Sequence, residues 1–92
     1  MNLVERIEGQ RKRRLKYLLS KDELFLDQRI EAIQIQRELM SNAEWQAVCS
    51  AAGISVTTAW RIVTRKCNPS MHVLKAVEAQ LEAFRNKEVY YK

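Results

Sequence analysis

Apolar and polar residues recur with a helical period along most of the chain. Leu3, Val4 and Ile7, and then Leu15, Leu18 and Leu19, fall at spacings of three and four within each group, with Arg11-Lys12-Arg13-Arg14 and Lys16 between them. This pattern predicts a basic amphipathic helix over 2–19, in which Gly9 costs about 1 kcal/mol relative to alanine. Ser20-Lys21-Asp22-Glu23 has the hydroxyl-x-x-glutamate form of a capping box, so a second helix is predicted over about 21–40. Leu26, Ile30, Ile33 and Arg37 would share one side of it, and Phe25 and Ile35 would widen its apolar surface. Ser41-Asn42 offers the next cap, for a helix near 43–51.

Ala51-Ala52-Gly53-Ile54-Ser55-Val56-Thr57-Thr58-Ala59-Trp60-Arg61-Ile62-Val63 reads as a short helix ending in glycine, a tight turn, and a second helix over about 55–64. The Ser55 hydroxyl is placed to cap that helix. Apolar residues at 48, 54, 59 and 62 would turn inward, and Val56, Thr57, Trp60 and Arg61 outward. In Cys67-Asn68-Pro69-Ser70, Pro69 disfavours continued helix and Ser70 can cap the next one. A last amphipathic helix follows, with Met71, Val73, Leu74, Val77, Leu81 and Phe84 inward. The tail Val89-Tyr90-Tyr91-Lys92 fits either a short strand or a docked end.

Composition agrees with an all-α chain: 47% of the 92 residues are apolar, and there are only two glycines and one proline. That length fits one small domain with an appendage: a basic helix over 1–20, then a domain over 21–92 whose central motif spans 44–64. Apolar runs fall short of a membrane span and no signal-peptide pattern is visible, so a soluble, cytoplasmic protein is expected. The net charge is +5, concentrated from residue 45 onward, where seven Lys/Arg face three Glu. A basic excess suits a polyanionic partner. Cys49 reads as a small inward residue and Cys67 as a loop thiol, so neither suggests a disulfide. His72 stands without CxxC or HxxxH spacing, and no metal or other cofactor is expected. Nor is there a nucleophile–base pair or phosphate loop, so the chain does not read as an enzyme.

Residues 44–81 resemble the Cro/repressor (XRE-like) type of helix-turn-helix domain. The resemblance rests on Ala52-Gly53-Ile54-Ser55 through Thr58, on Arg61-Ile62, and on Lys66, Asn68-Pro69-Ser70 and Leu74. Two separated pieces match without a gap, over a little under half of the chain. Gly53-Ile54-Ser55-Val56-Thr57-Thr58 also resembles the headpiece of LacI-type repressors, but Asn68-Pro69-Ser70 favours the first family. The resemblance implies a lambda-repressor-like, all-α domain with an N-terminal helical extension. It further implies a sequence-specific regulator of prokaryotic or phage type, a repressor by analogy, that reads the major groove of double-stranded DNA with helix 55–64.

Three departures matter. Arg65 stands where the family has glycine after the recognition helix, so a left-handed turn there would cost about 1 kcal/mol or be reshaped. Trp45 replaces the glutamine that opens the first motif helix and touches a phosphate. The family's usual last helix has no counterpart beyond residue 84, and helix 21–40 is expected to supply that cover.

Base contacts are expected from Val56, Thr57, Trp60 and Arg61. Arg61 carries a fork that matches the O6/N7 edge of guanine, although a phosphate or an acidic neighbour would also satisfy it. Thr57 can donate or accept at a base edge, and Val56 can pack on a thymine methyl. Trp60 either stacks on DNA or packs against helix 21–40. Phosphate contacts, which position without specifying, are expected from Trp45, Ser55, Thr58, Arg65, Lys66 and Asn68. Arg11, Lys12, Arg13 and Arg14 form either a solvated face or an extra contact to DNA or RNA. Leu18, Leu19, Leu26, Ile30 and Ile33 form either core or the seam of a homodimer, and a dimer would set two recognition helices on two half-sites. Two other readings are open: the DNA-binding antitoxin of a toxin–antitoxin pair, whose N-terminal helices grip a small partner protein, and an adaptor in which the motif is only a packing unit.

Overall fold

A computed structural model describes residues 3–89, with side chains over 8–87, and it is all-α as expected: five helices and, among the described residues, no strand. They fall into two units, residues 1–39 and 40–92.

The first unit pairs α1 (Leu3–Leu19) with α2 (Leu26–Leu39). Leu15 and Leu18 of α1 close on Ala32 and Ile35 of α2, and Leu24 and Leu39 pack against that cluster. Burying an aliphatic side chain of this size contributes about 1.5–3 kcal/mol. Across the rim, Arg14 grips Glu31 with both forks, at 2.6 and 3.0 Å, and Arg11 pairs with Glu38 at 3.1 Å. The Glu31 hydrogen bond raises the Arg14 pKa. Arg14 and Lys21 also lie over the Tyr17 ring, at 5.4 and 5.9 Å from its centroid.

Sequence expectations for this unit are corrected at several points. Ser20 does not open a helix: its hydroxyl donates to the Tyr17 carbonyl at 2.7 Å, and its N–H to the Lys16 carbonyl, so it closes α1. The next helix starts five residues later than predicted, where the Gln28 side chain accepts the Phe25 N–H and the Phe25 carbonyl accepts the first helical bond from Arg29. By its contacts the chain divides after residue 39, and α1 packs on α2. Phe25 and Leu26, read as part of an apolar face, are exposed.

The second unit comprises α3 (Asn42–Ala52), α4 (Val56–Val63) and α5 (Met71–Val89), with α3 packed on both others. Its interior is Trp45, Val48 and Cys49 from α3, Ala59 and Ile62 from α4, and Leu74, Val77 and Leu81 from α5. Met71, expected inward, is exposed at the first turn of α5. Serine caps open all three helices. Ser41 and Glu44 complete a capping box, with the Glu44 N–H donating to the Ser41 hydroxyl and the Ser41 N–H to the Glu44 carboxylate. Ser55 accepts from the Thr58 N–H at 3.1 Å and Ser70 from the Val73 N–H at 3.2 Å. Tyr90, Tyr91 and Lys92, where a strand or a docked end was considered, lie outside the described residues.

The two motif helices end in the same way. After α3, the Gly53 N–H bonds the Ser50 carbonyl and the Ile54 N–H the Cys49 carbonyl, with Gly53 left-handed at φ 77°. After α4, the Arg65 N–H bonds Ile62 and the Lys66 N–H bonds Arg61, with Arg65 left-handed at φ 59°. Both are Schellman closures. The chain therefore keeps the left-handed turn and places a side chain where glycine is at ease. Replacing Arg65 with glycine is expected to raise stability by about 1 kcal/mol, seen as a higher urea midpoint. An unchanged or lower midpoint would show that contacts of the arginine side chain outweigh the strain.

Candidate nucleic-acid interface

Helices α3 and α4 are joined by Gly53, Ile54 and Ser55 alone, and α4 packs on α3. Ala59 and Ile62 fix α4 to the interior, three positions apart on one stripe. The opposite stripe is bare: Val56 is 43% and Trp60 52% exposed, and Thr57 and Arg61 are exposed as well. Trp60 thus presents about half of its surface to solvent. The Arg61 guanidinium has no hydrogen bond or ion pair among the described residues, while its carbonyl helps close the helix.

The residues that follow this face in sequence add cations. Lys66 places its ammonium 5.9 Å from the Trp60 ring centroid. Arg65, Cys67 and Asn68 are exposed on the loop that follows. The Ser55 and Thr58 hydroxyls are 2.9 Å apart and share one hydrogen bond. Since Ser55 also accepts the Thr58 N–H, the pair retains one hydroxyl proton for an outside acceptor. No aspartate or glutamate occurs from residue 45 to residue 77, a stretch that holds Arg61, Arg65, Lys66 and Lys75.

Several expected contacts are not where the sequence put them. Trp45 is only 3% exposed, so it is a core residue and cannot reach a phosphate. In the basic run, Arg11 and Arg14 are engaged with Glu38 and Glu31, which ties them to α2. Lys12 and Arg13 remain exposed. Leu18, Ile30 and Ile33 are buried within the single chain, so no dimer seam can be built on them. For Leu18 the cause is plain, since it packs on α2 through Ala32 and Ile35. Leu19 and Leu26 are exposed, together with Tyr17 and with Phe25 at 78%. Neither Tyr17 nor Phe25 is among the interface residues that the sequence suggests.

Among the described residues, no group of three or more His, Cys, Asp or Glu is placed to hold a metal ion, and no helix is long and apolar enough to cross a membrane. No protein-family model matches the chain, and no curated protein or solved structure matches it.

Proposed function

We propose that this chain is a sequence-specific DNA-binding regulator that inserts α4 into the major groove of a duplex. One observation carries the reading. A short helix is held by Ala59 and Ile62 and turns Val56, Thr57, Trp60 and Arg61 outward, within a stretch that has cations and no carboxylate. A duplex offers such a face both base edges and phosphates. Arg61 reads guanine, Thr57 meets a neighbouring base edge, and Thr58, Arg65, Lys66 and Asn68 hold the backbone.

Selection of binding sites from a random duplex pool tests this. The expected result is one recovered sequence bound far more tightly than the pool, with affinity falling steeply as salt rises. Recovery of no sequence would favour an adaptor role. Co-purification with a second small chain at fixed stoichiometry would favour an antitoxin.

The reading includes a homodimer, because two copies of α4 would read an inverted repeat. The contact it would use draws on the exposed apolar side chains Leu19, Phe25 and Leu26, since exposed apolar surface marks interfaces. Phe25→Asp is expected to give monomers of unchanged helicity and weaker operator binding, measured by sedimentation and circular dichroism. A parent protein that stays monomeric at high concentration in sedimentation, with recovered sites lacking two-fold symmetry, would remove the dimer and leave the role of α4 standing.

A further inference from the structure

Val56 and Trp60 lie one turn apart on the outer stripe of α4 and together form an exposed apolar ridge. Base-edge hydrogen bonding does not account for it. Valine has no polar side-chain atom, and the indole offers a single N–H donor. The ridge is flanked by Arg61 on the same helix, and Lys66 stands beside the indole ring. The stretch from residue 45 to residue 77, which holds the ridge, contains no carboxylate. An apolar strip inside a cationic rim complements a surface that is itself apolar in spots and anionic around them. In the major groove the apolar spots are the C5 methyl groups of pyrimidines.

We infer that the Val56–Trp60 ridge reads major-groove methyl groups, so that the site recognised by this chain carries thymine methyls beside the guanine read by Arg61. The inference rests on the proposed DNA-binding role and names the part of the base that α4 recognises. One helical turn separates the two side chains by about 6 Å along the axis, a little under two base steps of about 3.4 Å. Methyls on adjacent or next-but-one base pairs are therefore within reach of both. The recognised group is the methyl and not the whole base. A 5-methylcytosine, which carries the same methyl at the same edge, satisfies the ridge where cytosine does not.

The test uses the full chain and the duplex recovered by selection. Each thymine in turn is replaced by deoxyuridine, which removes one C5 methyl and leaves every hydrogen-bonding atom in place. One or two of these replacements per half-site are expected to weaken binding about threefold to fourfold each, the worth of one buried methyl-sized group. In Trp60→Ala and Val56→Ala, both exposed substitutions whose helicity is checked alongside, the same replacements are expected to lose most of their effect. If no duplex is recovered, the DNA-binding role itself fails. If a duplex is recovered but tolerates deoxyuridine everywhere, the role stands and the ridge does not read methyls. If deoxyuridine weakens the parent and both variants equally, the methyl acts through other residues or DNA shape, and the assignment to Val56 and Trp60 is overturned.

Discussion

Trp45→Ala is expected to lower stability by about 3–5 kcal/mol, the cost of removing a large aromatic side chain from a packed interior. Trp45 is 3% exposed and shares the 40–92 interior with Val48, Cys49, Leu74, Val77 and Leu81. Small domains hold only about 5–15 kcal/mol in total, so the loss takes a large share of the reserve. Circular dichroism should show the thermal midpoint fall by about 12 °C or more. DNA binding at low temperature, where the variant is still folded, should change little. The opposite pattern, an unchanged midpoint with weakened binding, would mean that Trp45 touches the duplex after all.

The second large effect is functional. Arg61→Ala should cost about 1–3 kcal/mol on the recovered site, or roughly fivefold to 150-fold in affinity, with specificity relaxed at one base pair per half-site. The substitution should leave the fold intact, because Arg61 is exposed and its guanidinium holds nothing else among the described residues. Competition binding against random duplex separates two roles. A loss confined to the recovered site makes Arg61 a base reader, and an equal loss on both makes it a phosphate contact.

Much of the second unit is legible in the sequence because its signals are local. Ser41, Ser55 and Ser70 each cap a helix as their positions suggest, and Gly53 is left-handed as a helix-ending glycine should be. The outward stripe of α4 follows from counting residues around a helix. The first unit was harder to read. Ser20 through Glu23 has the letters of a capping box, yet the Ser20 hydroxyl is drawn back to the Tyr17 carbonyl of the helix it ends. The real start of α2 rests on Gln28 reaching back to the Phe25 N–H, with an apolar residue where cap rules look for Ser, Thr, Asp or Asn.

The seam expected on Leu18, Ile30 and Ile33 fails for a different reason. Periodicity marks a helix face as apolar without saying whether the same chain or another one covers it. Leu18, Ile30 and Ile33 carry the signature of an interface and are buried in their own chain. Trp45 was given the task of a residue it replaces, and its size and apolarity drew it inward instead.

The chain carries two tryptophans in opposite surroundings, Trp45 enclosed and Trp60 bare. They form a pair of intrinsic emission probes that report separate events. The signal of Trp45 follows the integrity of the interior, and that of Trp60 follows whatever covers α4. A collisional quencher dissolved in the buffer reaches the second and not the first. Titrating a bound partner in the presence of that quencher therefore distinguishes shielding of α4 from loss of structure in a single cuvette, with no label attached.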